Sequence, residues 1–209
     1  MVDILQGDNY KIKRIINKPV SSNCYIVCSK SGGVIIDPGS PDITDIELFL
    51  SKNCMVPRFI ILTHEHCDHS SGVNQLREIY PEIKLICSSG CNKAMADSAY
   101  NLSEYFEGYE TYAVQCAEYE IRSNKSMSLI DLDFKFIISL GHSVGGMTVF
   151  FDNNVFTGDL IIPETKVITT LKGGDKSLAE ESRKKVLKEC SDNYIILPGH
   201  GGIIKKIEL

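Results

Sequence analysis

Three histidines and an aspartate fall within one short stretch of this sequence, THEHCDH: His64, His66, Asp68 and His69. The stretch directly follows an apolar run and precedes a helical pattern, and open α/β sheets place their ligand sites at strand ends. In a tight loop, alternate residues turn to the same side. His64 and His66 can therefore bind one cation while Asp68 and His69 face a neighbouring one. Imidazole and carboxylate ligands suit zinc, iron or manganese.

Four further polar residues occur in the same kind of setting, each at the end of a β-like run and next to glycine. They are Asp37 before Pro-Gly, His142 in GHSVGG, Asp159 in TGD and His200 in PGHGG. Glycine allows the backbone to approach a site closely. A single histidine is more often a surface or satisfied core residue than a ligand. Five histidines at strand ends, three of them clustered, would repel one another if charged, and together they predict a metal site.

The bulk composition describes an ordinary globular chain. The 209 residues suit one domain spanning 1–209, with 43% hydrophobic residues and a net charge of −5. An acidic average disfavours a general nucleic-acid partner, although a local basic patch stays open. No stretch reaches the roughly 18 apolar residues that span a membrane. These features favour a small-molecule substrate and leave the oligomeric state open.

The N-terminus and the cysteines bear on location. Asp3 and Asp8 interrupt any apolar run at the start, which argues against a signal peptide and favours the cytoplasm. Eight cysteines are expected to be reduced thiols there. Two pairs are four residues apart, Cys24/Cys28 and Cys87/Cys91, but neither has the C-x-x-C spacing of structural zinc sites.

Short apolar or alternating runs alternate with helical patterns, which indicates α/β layers. The strands are predicted at 10–16, 23–28, 33–37, 58–62, 83–87, 129–141, 147–151, 154–158 and 194–197. The helices are predicted from an N-cap at Ser40 to about Lys52, and at 71–80, 89–97 and 177–190. The last helix is expected to turn Leu178, Val186, Leu187 and Cys190 to the core.

In sequence order, the motifs VIIDPG, THEHCDH, GHS, TGD and PGHG resemble those of the metallo-β-lactamase superfamily over nearly the whole chain. The resemblance implies an α/β fold, a four-layer αββα sandwich with the site at one edge between two sheets. It implies a first metal on His64, His66 and His142. It implies a second on Asp68, His69 and His200. Asp159 would bridge the two, and Asp37 would support the ligand loops structurally.

Within the superfamily, the chain is most similar to the glyoxalase II (hydroxyacylglutathione hydrolase) branch, in its short bacterial form. β-Lactamases of the main zinc class carry Cys where Asp159 stands and lack the histidine at 69. The segments 97–103 and 173–175 also resemble that branch. Two departures concern substrate recognition. Gly146 replaces the last histidine of GHTxGH. Only nine residues follow His200, where glyoxalase II carries a helical domain that helps to hold glutathione.

The resemblance implies a hydrolase in which two divalent metal ions, zinc or else iron or manganese, share a hydroxide that attacks a carbonyl carbon. A thioester of the hydroxyacylglutathione kind, or a related ester, is the easiest substrate because a thiolate leaves without a strong general acid. Asp68 is a candidate catalytic proton shuttle as well as a ligand. The alternatives are a lactonase or phosphodiesterase, a non-enzymatic metal-binding scaffold, and a persulfide dioxygenase with one iron on His64, His142 and Asp159.

Two features near the site have two interpretations each. Cys67 could be an oxidation-sensitive thiol beside the metals, but alternation predicts that it points into the core, as most free cysteines do. Residues 98–127 contain five of the nine tyrosines. This region could line a substrate pocket, since tyrosine combines apolar area with a hydroxyl group, or it could be a packed insert.

Overall fold

A computed structural model describes residues 4–208, and its elements follow the apolar pattern of the chain. The strands are β1 (Ile4–Gln6), β2 (Lys11–Ile16), β3 (Asn23–Ser29), β4 (Gly32–Ile36), β5 (Pro57–Ile61), β6 (Lys84–Ser88), β7 (Tyr119–Ile121), β8 (Lys125–Leu129), β9 (Leu132–Ile138), β10 (Met147–Phe151), β11 (Asn154–Gly158), β12 (Ile195–Pro198) and β13 (Ile204–Lys205). The helices are α1 (Thr44–Lys52), α2 (Cys67–Ser70), α3 (Val73–Ile79), α4 (Ser89–Ala94), α5 (Ser98–Asn101) and α6 (Lys176–Glu189).

The strands form two sheets. The first runs β1-β2-β3-β4-β5-β6-β7, antiparallel up to β4 and parallel from β4 to β7. The second runs β13-β12-β11-β10-β9-β8 and is antiparallel except for the parallel pair β11 and β12. In each sheet, a parallel pair therefore brings two strand ends to the same edge.

The two sheets face each other across an apolar core. Side chains alternate along each strand, so Val27 of β3 packs between the sheets while its neighbour Ile26 packs on the outer face. From the second sheet, Phe134, Phe136 and Phe156 fill the same inter-sheet space. Strands that are buried on both faces need apolar residues at consecutive positions, which explains the uninterrupted runs in the sequence.

Helices cover the outer face of each sheet. The outer face of the first sheet packs against α1, α3 and α4, for example through Leu50 and Leu76. The outer face of the second sheet packs against α6 through Ala179 and Val186. The layers are therefore helix, sheet, sheet and helix, and the predicted α/β fold, a four-layer αββα sandwich, is confirmed. The single-domain organisation over 1–209 stays a prediction.

The first helix begins later than predicted. Ser40 is not its N-cap: the Ser40 hydroxyl accepts the backbone N–H of Lys18 instead, at 2.9 Å. The helix begins at Thr44, whose N–H donates to the Asp42 carboxylate at 2.9 Å. The prediction was wrong because a serine before proline satisfies the local cap rule, whereas a contact distant in sequence uses the hydroxyl here.

Three other predictions need correction. The run 129–141 is not one strand: Ile130 and Asp131 have positive φ values of 49° and 61° and form the turn between β8 and β9. Strand β7 lies inside the tyrosine-rich region, where no strand was predicted. Leu178 is 42% exposed, whereas the predicted Val186, Leu187 and Cys190 do pack in the core; Ala179 shares their face at helical spacing, and Leu178 lies beside it.

Six of the eight cysteines, all of which lie within residues 4–208, are buried. Cys54 and Cys116 are exposed. Cys67 is buried as predicted, and burial raises the pKa of its thiol to about 12. Burial also raises the pKa of Cys28 to about 11. A thiol is unreactive when its thiolate is rare and its sulfur is covered.

No helix among residues 4–208 combines the length and the apolar character that a membrane crossing requires.

The burial of α1 predicts a contrast between two leucines of the same helix. Leu50 is 1% exposed and Leu48 is 51% exposed. Leu50→Ala should lower the free energy of unfolding by about 2–5 kcal/mol because it leaves a cavity, while Leu48→Ala should change it by about 0.5 kcal/mol or less. Urea unfolding of both variants checks this, and equal losses would contradict the packing of α1.

The cysteine environments predict a thiol count. In the native protein at pH 8, Ellman's reagent should modify Cys54 and Cys116 rapidly, and the other six thiols only after denaturation. In a Cys54→Ser/Cys116→Ser variant, the rapid phase should vanish. A rapid phase that persists there and disappears with Cys67→Ser would show that Cys67 is accessible.

Candidate metal centre

The polar residues singled out in the sequence meet at one edge of the sandwich. Each of them follows a strand: Asp37 follows β4, the stretch 64–69 follows β5, His142 lies between β9 and β10, Asp159 follows β11 and His200 follows β12. The sheets are joined at this edge, where the Met147 N–H donates to the Thr63 carbonyl at 2.8 Å. The two parallel strand pairs therefore carry their polar ends to a common place.

His64, His66 and His142 form the first group. Their ring centroids lie 4.6–4.8 Å apart. His142 Nε2 and His66 Nδ1 face each other at 3.0 Å. One nitrogen from each ring lies within 4.8 Å of the others, which is close enough for three imidazoles to share one cation.

Asp68, His69 and His200 form the second group. Asp68 Oδ2 lies 3.1 Å from His200 Nε2 and 3.6 Å from His69 Nε2. The three ligand atoms also lie within 4.8 Å of one another. The Asp68 side chain is 16% exposed and that of His200 is 26% exposed, so this group lies at the open side of the site.

Asp159 lies between the two groups. Its Oδ2 is 3.6 Å from His142 Nε2 in the first group and 3.4 Å from His200 Nε2 in the second. Its Oδ1 is 3.4 Å from His69 Nε2. One carboxylate thus contacts ligand candidates of both groups.

Asp37 supports this arrangement from beneath. Its carboxylate accepts the Thr63 N–H and the Thr63 hydroxyl, both at 2.7 Å. Its Oδ2 also lies 3.1 Å from His69 Nδ1. Since a carboxylate only accepts, His69 Nδ1 carries a proton toward Asp37, and Nε2 is the nitrogen that would bind a cation. His142 is oriented similarly, with Nδ1 donating to the Ile168 carbonyl at 2.8 Å.

Two histidines of the first group have pKa values below the ordinary value. Burial, reinforced by neighbouring histidines, lowers the pKa of His64 well below its ordinary value. Burial and His142 lower the pKa of His66 to about 3. A cation requires the unprotonated ring as its ligand, so both rings are in the binding form at neutral pH.

The second group balances charge differently. Burial lowers the pKa of His69, but Asp68 and Asp159 outweigh it and raise that pKa well above its ordinary value. The same carboxylates outweigh burial at His200 and raise its pKa to about 9. Burial raises the pKa of Asp159, but His69, His200 and His64 together outweigh it and hold the pKa well below its usual range. Without a cation, protons on the histidines balance the carboxylates.

Several buried atoms of the cluster have no hydrogen-bond partner among residues 4–208. They are Nε2 of His64, His66 and His69, and Oδ1 of Asp159. Leaving a buried polar atom unpaired costs about 1–3 kcal/mol. Nitrogen and carboxylate oxygen donors that converge on one place fit divalent cations of the zinc, iron or manganese type, which would satisfy these atoms.

In the tyrosine-rich region 98–127, one tyrosine is packed as in a structural insert, and others lie near the site or at the surface. Tyr112 is packed, and its hydroxyl lies 2.7 Å from Ser70 Oγ behind α2. Tyr109 is half-buried on the side of Asp68, with its hydroxyl 3.4 Å from the Gly39 carbonyl. Tyr105 is exposed, and Tyr100 lies beneath the Lys172 ammonium at 4.1 Å.

Sequence reasoning missed three buried polar residues that contact the ligand loops. Glu65 accepts the Ser143 hydroxyl at 3.1 Å, and burial raises its pKa to about 7. Ser22 and Asn23 bond the backbone beside Asp68 and His200. Asparagine is depleted in strands, so its place at the start of the apolar run 23–28 was the available indication.

Comparison with known proteins identifies the family of this chain. Residues 17–200 match the family model described as the metallo-beta-lactamase superfamily. The chain is 27% identical over 142 residues to hydroxyacylglutathione hydrolase 1 of Vibrio vulnificus (strain YJ016), which covers 68% of this chain but only 48% of that protein. It is 25% identical over 193 residues to the probable metallo-hydrolase YqgX of Bacillus subtilis (strain 168), covering 91% of this chain and 90% of that one.

Solved structures share the fold. The BLEG-1 B3 metallo-beta-lactamase superposes with a TM-score of 0.87 at 25% identity, over 94% of this chain and 95% of that one. TTHA1623 in a di-iron-bound form gives a TM-score of 0.80 at 22% identity, over 93% and 95%. Superfamily members bind one or two metal ions and are mostly hydrolases. Because the family model spans most of the chain and the histidine–aspartate edge lies between its two sheets, this protein belongs to the metallo-β-lactamase superfamily.

Proposed function

We propose that this protein is a dinuclear metal-dependent hydrolase that acts on a thioester or a related activated ester. The observation that carries the proposal is the position of Asp159. Its carboxylate contacts His142 on one side and His69 and His200 on the other, at 3.4–3.6 Å. A single carboxylate between two complete donor sets suits two neighbouring cations, because each of its oxygens can face one of them.

The proposed donors divide as the two groups do. His64, His66 and His142 would hold the first cation. Asp68, His69 and His200 would hold the second, with Asp159 shared. Zinc is the proposed metal, and iron or manganese fits the same donors. When bound, the two cations would activate water as a nucleophile near neutral pH and polarise a carbonyl oxygen of the substrate.

Other side chains prepare the site for this chemistry. Asp37 and Thr63 fix the orientations of His69 and His64, since Thr63 Oγ1 lies 3.0 Å from His64 Nδ1. Fixed ring orientations reduce the reorganisation needed when substrate binds. Asp68 is proposed as both a ligand and the proton shuttle because it is the partly exposed carboxylate of the second group and can exchange a proton with solvent.

The substrate class follows from the leaving group and the opening of the site. A thiolate leaves without protonation by a strong acid, so a site built from cation ligands can suffice. The relative from Vibrio vulnificus carries the name of a thioester hydrolase. Ile168 is exposed beside His142, and Tyr109 lies on the side of Asp68. These apolar and aromatic groups suit a small acyl substrate.

The main alternative differs in metal number. A persulfide dioxygenase would need one iron on His64, His142 and Asp159. The second group argues for two cations rather than one iron, because Asp68, His69 and His200 form a complete donor set of their own. Lactonase and phosphodiesterase activities would use the same two cations with a different pocket, and they differ from the proposal only in substrate.

The ligand assignment predicts the effect of removing one donor. His66→Ala and Asp159→Ala should each abolish tight metal binding and lower turnover by at least about 100-fold, because each removes a direct ligand. Asp133→Ala, on the exposed face of β9, is the matched control and should change neither. Metal analysis after gel filtration and steady-state assays measure both effects. Wild-type activity in His66→Ala would remove the basis of the assignment.

The reaction class predicts a joint result for metal content and substrate preference. Elemental analysis should find two metal ions per chain, and the same preparation should hydrolyse thioesters faster than lactones or phosphodiesters. Removal of the metals by a chelator should stop turnover, and zinc should restore it. One iron per chain with oxygen consumption on a persulfide would instead establish the dioxygenase. Full metal loading without turnover on any of these substrates would indicate a binding scaffold.

A further inference from the structure

The hairpin between β2 and β3 carries three buried polar side chains at the same edge as the site. Asn17, Ser22 and Asn23 are each 0–1% exposed. Their side-chain N–H and O–H groups donate to backbone carbonyls of other segments, apart from one bond between Asn17 and Ser22. These bonds hold the hairpin and those segments in one arrangement.

One part of the hairpin fixes the backbone of Asp68. The Ser22 hydroxyl donates to the Asp68 carbonyl. Asn17 Nδ2 donates to Ser22 Oγ at 2.8 Å and reaches the same carbonyl at 3.4 Å. Gly39 also approaches so closely that a Cβ there would overlap the Asp68 carbonyl and crowd Asn17 Nδ2. The carbonyl of this ligand residue is therefore closely surrounded.

The adjacent residue fixes the loop that carries His200. The Asn23 N–H donates to the Gly199 carbonyl at 2.6 Å. Its side-chain Nδ2 donates to the carbonyls of Pro198 at 2.9 Å and Gly201 at 3.1 Å. These three carbonyls bracket His200, and Ser22 forms an antiparallel bridge with His200 itself. Two consecutive residues thus hold two ligand loops that are far apart in sequence.

The first group depends on different supports. The Ser88 hydroxyl donates to the Gly145 carbonyl at 2.7 Å, three residues after His142. Glu65 accepts the Ser143 hydroxyl beside His142. The hydrogen bonds of Ser22 and Asn23 described above involve the loops of Asp68 and His200. Within residues 4–208, Ser22 and Asn23 therefore contact only the loops of the second donor set, whereas Asp37 and Thr63 contact residues of both sets.

We infer that Ser22 and Asn23 are positioning residues for the second cation, and that one hairpin sets the spacing between Asp68 and His200. The inference rests on the proposed dinuclear function. It extends that function by assigning part of the metal affinity of the second site to side chains that are not themselves proposed ligands. Residues that orient ligands in this way commonly contribute about 10–100-fold to metal affinity.

The test follows each donor set separately by NMR. All five histidines belong to the proposed site, so ¹⁵N-histidine labelling reports His64, His66 and His142 apart from His69 and His200. Zinc is titrated into metal-free protein in a buffer that controls free zinc. In Ser22→Ala and in Asn23→Ala, the signals of His69 and His200 should saturate at about 10–100-fold higher free zinc. Those of the first group should saturate as in the wild type.

Ser88→Ala is the matched control, because it removes another buried hydroxyl–carbonyl bond at the same edge of the protein, beside the first group. It should not weaken the second group selectively, even if it lowers the melting temperature as much as Ser22→Ala does. Ser22→Ala removes a single oxygen and carries the test if Asn23→Ala fails to fold.

Two results would overturn the inference while leaving the proposed function intact. One is an unchanged zinc affinity of His69 and His200 in Ser22→Ala. The other is an equal loss of affinity in both groups. A wild-type protein whose His69 and His200 signals never respond to zinc would overturn the dinuclear proposal itself, and this inference with it.

Discussion

The structure depends on a buried concentration of imidazoles and carboxylates whose lone pairs and charges have to be satisfied together. Nitrogens of His64, His66 and His69 and an oxygen of Asp159 are buried without a hydrogen bond. Protons on His69 and His200 balance the neighbouring carboxylates, but they cannot satisfy the buried nitrogens of His64 and His66. Divalent cations would satisfy both requirements at once. The edge of the sandwich thus buries unpaired polar atoms at a cost in folding free energy, as expected of a site built for chemistry rather than for folding.

The fold supplies this concentration through strand ends. In each sheet, a parallel pair of strands ends at the same edge, and the inter-sheet core aligns the two edges. Loops at strand ends can hold polar residues without disturbing the apolar layers behind them. The loops at these strand ends also need side chains that hold them in place, as the positions of Asp37 and Asn23 show. Asp37 and Asn23, which contact His69 and the loop of His200, come from the first sheet, although His142, Asp159 and His200 come from the second.

Many residues of the candidate site could be predicted because they lie in short sequence motifs. THEHCDH after an apolar run, and glycine beside His142 and His200, are readable within a few residues. The layers could also be predicted from the sequence, since strands buried on both faces need apolar runs. Contacts between residues that are distant in sequence could not be predicted. Ser22 reaches a carbonyl 46 residues away, and Ser40 is occupied by Lys18 rather than by its own helix. The turn at Ile130 and Asp131 lacks glycine, so the strand prediction ran through it.

The most direct measurement is anomalous diffraction from crystals of the metal-loaded protein, recorded at the absorption edge of the bound metal. The account predicts two peaks. One should lie among the nitrogens of His64, His66 and His142, and the other among Asp68, His69 and His200, with Asp159 contacting both. A single peak in the first group, with His69 and His200 still paired only to carboxylates, would contradict the dinuclear centre. A peak away from these seven residues would contradict the site itself.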